Sequence, residues 1–135
     1  MGGSDSTDAE GMEVVMLQAV LDTNILIDHL AGRKRLKVDP REFVISTITE
    51  FELLRLPGMS EEEEQILREL VGQFDIISVN REIAQRAAKL NRSRPRTKPM
   101  DLFIAATALE LEVPLVTKNS KDFKHLPDLL IQTAP

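Results

Sequence analysis

The stretch from Pro99 to Leu109, PMDLFIAATAL, constrains the fold of this chain more than any other. Its spacing predicts a helix that is apolar almost all the way round, and such a helix belongs inside a domain rather than on its surface. It carries one carboxylate, Asp101, in its first turn. Because an isolated charge beside a core is costly, the rest of the chain is expected to supply groups that compensate Asp101.

Length and composition predict one domain and exclude several chemistries. The chain has 135 residues and no cysteine, so disulfides, thiolate metal sites and a cysteine nucleophile are excluded, and a reducing cytoplasm is the default location. No run approaches the length of a membrane span. Residues 1–15, rich in Gly, Ser and Asp, are interpreted as a disordered leader, and residues 16–135 as the domain. Four acids of this leader account for most of the net charge of -5, which therefore says little about partners.

Short apolar runs alternate with helical patterns along the chain. Strands are predicted at 17–21, 43–46, 74–79 and 114–117, with an edge strand at 129–132. Helices are predicted at 25–30, ending near Gly32, and at 48–56, capped by Thr47. Two more are predicted at 61–72, where Ser60 and Glu63 form a capping box, and at 81–91, capped by Asn80. The residues of this last helix expected to point inward are Ile83, Ala84, Ala87, Ala88 and Leu90. This alternation predicts an α/β fold with a mainly parallel sheet of four to five strands, covered on both faces.

Carboxylates and amides follow the predicted strands. In a parallel sheet, the carboxyl ends of the strands meet at one rim, where functional groups gather. The residues expected there are Asp22, Thr23 and Asn24; Glu50 and Glu52; Thr117, Asn119 and Asp122; and Asp101. Three or four carboxylates at one rim repel each other unless a cation lies between them. Oxygen ligands favour Mg²⁺ or Mn²⁺, which serve phosphoryl chemistry.

A single acid at a strand end is more often a helix cap or turn former than a metal ligand, and that alternative applies to each candidate. Asp22 and Asp101 are the stronger candidates, because both lie against apolar sequence. Glu52 shares a helix face with apolar neighbours, whereas Glu50 points about 200° away, so Glu52 is favoured. His29 and His125 are interpreted as ordinary surface or loop histidines.

A basic run leads to Asp101. Between positions 81 and 98 the chain has seven basic residues and one acid, Glu82; the basic residues are Arg81, Arg86, Lys89, Arg92, Arg94, Arg96 and Lys98. Such a concentration is able to hold a phosphate backbone near a cation. The alternative is a solvated helix face followed by a basic loop. Since the chain has five Phe and no Tyr or Trp, base stacking is not expected to dominate recognition.

Four segments together resemble the PIN-domain ribonucleases, and within them the VapC-type toxins of toxin–antitoxin pairs. They are VLDTNILI at 20–27, ISTITEFEL at 45–53, MDLFIAATAL at 100–109 and LVTKNSKDF at 115–123. The resemblance implies a three-layer α/β/α sandwich and Mg²⁺- or Mn²⁺-dependent cleavage of RNA. It also implies a homodimer inhibited by a cognate antitoxin.

Carried over by position, the family's acids fall on Asp22, Glu52 and Asp101. Many family members have an aspartate where this chain has Asn119, so the fourth role is assigned to Asp122. Asp22 and Asp101 would hold the metal directly, with Glu52 and Asp122 acting at longer range. Thr23, Asn24, Thr117 and Asn119 would support them, and Arg86, Lys89, Arg92, Arg94, Arg96 and Lys98 would contact RNA.

The mechanism implied is in-line attack of a metal-activated water on a phosphodiester, leaving a 5′-phosphate and a 3′-hydroxyl. Two other function classes stay open. One is a catalytically silent PIN-like module that binds RNA or regulates, which the retention of the three acids disfavours. The other is a receiver-like domain phosphorylated on Asp22 with Lys118 nearby, disfavoured because only one acid ends the first strand.

Overall fold

A computed structural model describes residues 18–30 and 39–133. Five strands are β1 Ala19–Leu21, β2 Phe43–Ser46, β3 Asp75–Ile77, β4 Leu115–Thr117 and β5 Ile131–Thr133. Five helices are α1 Thr23–Leu30, α2 Thr47–Leu54, α3 Glu61–Val71, α4 Arg81–Ser93 and α5 Pro99–Leu111. The predicted leader, the start of the first strand at Leu17 and the end of the first helix near Gly32 lie outside the described residues.

The five strands form one sheet in the order β3-β2-β1-β4-β5, and every neighbouring pair is parallel. Val20 of the central strand lies opposite Val44 of β2 on one side and Leu115 of β4 on the other. The predicted parallel sheet is therefore confirmed, with its last strand at the edge.

Helices cover both faces of the sheet, as a three-layer sandwich requires. Val20, Val44 and Leu115 face one core with α4 and α5. The alternate residues Leu21 and Ile45 face a second core with α1, α2 and α3. Successive strand residues point to opposite faces, so these short apolar strands supply both cores at once.

Helix α5 is the buried helix that its sequence predicts. Ile104, Ala105, Ala106 and Ala108 are fully buried. Pro99 occupies the first turn, where its missing N–H costs nothing. The helix ends at Leu111, and Glu112, which follows it, has the left-handed conformation (φ 58°) that often terminates helices. Since α5 packs on both α4 and the sheet, the position of Asp101 in its first turn is set by the core.

Several local predictions are wrong. Helix α2 is capped by Ser46 and not by Thr47: the Ser46 hydroxyl accepts the Ile48 N–H. The Thr47 hydroxyl instead accepts the N–H of Val79, in the connection between β3 and α4. Ala84 and Ala88 of α4 are exposed, because the buried stripe of that helix is narrower than predicted. The caps at Ser60 and Asn80 are confirmed.

Within the described ranges, no helix has the length and apolar character needed to cross a bilayer.

Candidate active site at the sheet switch point

The order of the strands creates a crevice at the carboxyl end of β1. The chain passes from β1 to β2 on one side of β1, and β4 lies on the other side. In parallel sheets, ligands bind where the strand order reverses in this way. Asp22 directly follows β1 and Thr117 ends β4, so both lie at this crevice.

Asp22 is held in place from three sides. Its carboxylate Oδ2 accepts the Thr117 hydroxyl at 2.8 Å, and the Thr23 main-chain N–H supports the ionised form. Its own N–H donates to the Val116 carbonyl at 2.9 Å. The side chain is nearly fully buried, and this burial is the main cause of a raised pKa of Asp22. The hydrogen bonds from Thr117 and Thr23 oppose the rise, and the charges of Glu52 and Asp122 add to it.

Glu52 is positioned by two threonines. The Thr23 hydroxyl donates to Glu52 Oε1 at 2.6 Å and lies 3.0 Å from the Thr49 hydroxyl. Because a hydroxyl has one hydrogen, Thr23 uses it on the carboxylate, and Thr49 must donate to Thr23. The fully buried Thr49 therefore fixes Glu52 through Thr23.

Asp101 has the most perturbed carboxyl group of the set. Burial in the first turn of α5 is the main cause, the charges of Asp22, Asp122 and Glu52 add to it, and Lys98 opposes it; together they raise the pKa of Asp101 to about 6. Glu52 and Asp122 are thus close enough to act electrostatically on both Asp22 and Asp101.

Asp22, Glu52 and Asp101 line one cleft of about 380 Å³, which we call the acidic cleft. Its other lining residues are Thr23, Asn24, Ile27, Arg55, Leu56 and Pro57. Between the two glutamates that the sequence left open, Glu52 lines this cleft, in agreement with the helix-face argument. Asp22, Glu52 and Asp101 come from positions far apart in sequence, and the parallel sheet brings them together.

Asp122 lies elsewhere. It is exposed and lines a second cleft, of about 430 Å³, which also contains Asp101. Asn119 precedes the 3₁₀ turn Ser120–Asp122, and its N–H donates to the Thr117 hydroxyl, so it supports the residue that holds Asp22. The charge of Asp122 still reaches Asp22 and Asp101.

The basic run does not form one surface. Arg94, Arg96 and Lys98 line the second cleft beside Asp101. Arg86 donates to Glu110 at 2.7 Å, and with Lys89 it lines a separate cleft between α4 and α5. Both residues lie one turn or more before the end of α4, and neither lines the second cleft.

Comparison with known proteins identifies the family. Residues 19–129 match the sequence profile of the PIN domain. This chain belongs to the PIN domain family. Ribonuclease VapC1 of Methanocaldococcus jannaschii is 33% identical over 114 residues, 81% of each chain. Ribonuclease VapC19 of Mycobacterium tuberculosis (H37Rv) is 32% identical over 121 residues, covering 82% of this chain and 95% of that protein.

A solved structure agrees with this placement. The toxin–antitoxin complex from Klebsiella pneumoniae contains a chain that is 33% identical and superposes with a TM-score of 0.70, covering 84% of this chain and 96% of its own. The chain is thus a PIN domain of the VapC group, as the four sequence segments indicated.

The donor set of this PIN domain fits a hard divalent cation. Within residues 18–30 and 39–133, no three Asp, Glu or His side chains are grouped closely enough to cage an ion by themselves. Asp22, Glu52 and Asp101 nevertheless face one cleft and offer only oxygen, and the charges of Asp22 and Glu52 help to raise the pKa of Asp101. A few carboxylates with open positions for water match Mg²⁺ or Mn²⁺ better than a closed site would.

Sequence reasoning missed several groups around the PIN site. Thr49 carries no charge and gave no signal except its place three residues before Glu52. Lys118 pairs with the buried Asp28 of α1, although nothing in the sequence connects positions 28 and 118. His125, interpreted as an ordinary loop histidine, hydrogen bonds to Thr97 at 2.8 Å and lines the second cleft.

Replacing Asp101 with asparagine is expected to stabilise the metal-free PIN domain at neutral pH. The pKa of Asp101 is raised from 3.8 to about 6. Its contribution to the stability of the folded protein is therefore fully present below about pH 4, where the carboxyl is neutral, and is lost as the pH rises through 6 and the buried group ionises, which is a penalty on folding. The amide removes this penalty. We expect Asp101→Asn to raise the free energy of unfolding by roughly 1 kcal/mol at pH 7.5, a value reduced for the partial exposure of the group.

Urea denaturation in EDTA at pH 4 and pH 7.5 measures this difference. Glu50→Gln, which removes a carboxylate of α2 outside the acidic cleft, is the control with which the Asp101→Asn difference is compared. An Asp101→Asn effect that is equal at both pH values would contradict the prediction.

Proposed function

We propose that this protein is a divalent-metal-dependent endoribonuclease and the toxin of a toxin–antitoxin pair. The observation that carries the proposal is the convergence of Asp22, Glu52 and Asp101 in one cleft at the switch point of a PIN fold. Its relatives of similar length are VapC ribonucleases, and the Klebsiella pneumoniae neighbour is a toxin–antitoxin complex.

In this proposal each side chain has a role in positioning charge. Asp22 and Asp101 would hold Mg²⁺ or Mn²⁺, and Glu52 would accept a proton or orient water across the acidic cleft. When bound, the cation supplies a water of lowered pKa and neutralises charge on the phosphate. Thr117 and Thr23 keep the oxygens of Asp22 and Glu52 aimed, so little reorganisation is needed during the reaction.

Asp122 acts from the neighbouring cleft, at longer range. Its charge reaches both Asp22 and Asp101, and it is able to hold the outer waters of a cation or a second ion. Thr117 supports Asp22 by a hydrogen bond, Asn119 donates to Thr117 in turn, and Asn24 lines the acidic cleft beside them. A homodimer and a cytoplasmic location stay predictions from the sequence and its resemblance.

The silent-module alternative is disfavoured by the site itself. A module that only binds RNA has no need to bury Asp22 almost completely or to place Asp101 where its pKa rises to about 6. Such costly placements are typical of sites that use their carboxylates.

Incubation of the purified protein with a mixed RNA pool, followed by sequencing of the cleaved ends, tests the proposal. We expect cleavage in Mg²⁺ or Mn²⁺, none in EDTA, and fragments with a 5′-phosphate that ligate directly to an adaptor. Cleavage that continues unchanged in EDTA, or no cleavage with any divalent ion, would reject it. Co-expression with the product of a neighbouring small open reading frame should abolish the cleavage.

A further inference from the structure

The second cleft, which we call the basic cleft, is built from two distant segments of the chain. One is the end of α4 at Ser93 with the loop 94–98 that follows it; the other is the turn containing Lys121, Asp122 and His125. Asp101 belongs to both the acidic and the basic cleft. The two clefts therefore meet at a single carboxylate.

Hydrogen bonds hold the two walls of the basic cleft together. Arg94 Nε donates to the His125 carbonyl at 3.0 Å, and Arg94 Nη1 donates to the Ser93 carbonyl at 2.9 Å. The Thr97 hydroxyl and the His125 ring lie 2.8 Å apart. Arg94, predicted as an RNA contact, thus acts largely as a clamp, and the wall that carries the other cations is preorganised.

The remaining cations of the basic cleft are available to a ligand. Arg96, Lys98 and Lys121 are exposed, and none of them forms a salt bridge within the described part of the chain. Four cations, including Arg94, line the cleft against two acids, Asp101 and Asp122. The surplus is positive, so the cleft attracts an anion despite its acidic floor.

We propose that the basic cleft binds, through Lys98, Arg96 and Lys121, the backbone phosphate next to the one cleaved in a single-stranded RNA. This rests on the proposed function for the acidic cleft. A strand cleaved beside Asp101 has to pass that residue, and its next phosphate then enters the basic cleft. The cleft volume of about 430 Å³ is that of a small-ligand site and takes one nucleotide unit rather than a duplex.

Single methylphosphonates, which remove one backbone charge at a time, test the subsite. In an RNA oligonucleotide with one cleavage site, we expect neutralising one flanking phosphate to lower kcat/KM by about tenfold in the wild type. In the Lys98→Ala/Lys121→Ala double variant, the unmodified oligonucleotide should already show that loss, and the methylphosphonate should add little. A methylphosphonate effect as large in the double variant as in the wild type would overturn the proposal.

Lys124→Ala is the matched control, because Lys124 follows the same turn as Lys121 but does not line the cleft. It should keep the wild-type methylphosphonate effect. If it loses that effect as the double variant does, the contribution is diffuse charge and the subsite is rejected.

Binding gives a readout that does not depend on cleavage. For single strands, each phosphate contact contributes about 0.7 to the slope of log affinity against log salt. Because Lys98 and Lys121 share one phosphate in this proposal, the double variant should lose about 0.7 of that slope. A lost slope in a protein that cleaves nothing would reject the nuclease proposal and keep the subsite. An unchanged slope together with unchanged methylphosphonate sensitivity would reject the subsite alone, with the nuclease still active.

Discussion

Asp22→Asn is expected to lower the rate of RNA cleavage by roughly a thousandfold, because the proposed site would lose one of its two direct charged ligands and would hold the cation less tightly and less well placed. The fold should survive the change. Burial already raises the pKa of Asp22, so the ionised form is the costly one, and the neutral amide has the same shape. Single-turnover cleavage of an RNA oligonucleotide in Mn²⁺ measures the loss, and thermal unfolding confirms that the protein is folded.

Asp75→Asn is the matched control for this prediction. Asp75 begins β3, at the amino edge of the parallel sheet and away from the crevice, and it is exposed. The cleavage rate of this variant should stay within about threefold of the wild type, since substitutions of exposed residues far from the core and from the active site usually have little effect. If Asp22→Asn cleaves as well as Asp75→Asn, the metal-site assignment is wrong.

Phe123→Ala is expected to destabilise the protein by about 3–5 kcal/mol, because the substitution removes a large side chain from the core and leaves a cavity behind. Phe123 is 1% exposed and packs in the cluster formed by α4, α5 and the sheet. It also follows Asp122 directly, so the turn that carries Asp122 depends on it. Urea denaturation at equilibrium, with the midpoint and slope compared with the wild type, measures the effect.

Phe51→Ala provides the comparison within the same chain. Phe51 is 47% exposed on α2, where its ring lies 5.4 Å from the Arg55 guanidinium. Its loss should cost less than about 1 kcal/mol, the range of an exposed cation–π contact. Equal costs for the two phenylalanines would mean that Phe123 is not part of the packed core.

The features that could be predicted from sequence are those in which local chemistry agrees with the fold. β2 was predicted at its observed bounds, because FVIS is apolar and short and a capped helix follows it. The Ser60 capping box and the Asn80 cap depend on neighbours within three residues, so they too were visible. Glu52 was separated from Glu50 by the helical period alone.

The features that could not be predicted depend on partners far along the chain. Ser46 rather than Thr47 caps α2 because Thr47 is drawn to Val79. Arg86 is paired with Glu110 in one cleft, and Arg94 is tied to His125 in another, so a run of basic residues that looks uniform in sequence divides between two surroundings. Charge counting along the chain has no access to that division.

By itself, the sequence determined that α5 is buried with an acid in its first turn, that short parallel strands carry acids at their ends, and that the chain resembles a PIN domain. Hydrophobic periodicity, helix caps and residue chemistry depend on neighbours in the sequence, so they can be recognised without the tertiary structure. Only the tertiary structure decided which acids meet. It placed Asp22, Glu52 and Asp101 in one cleft and Asp122 in the next, because the register of the sheet and the packing of α5 set distances that sequence spacing does not contain.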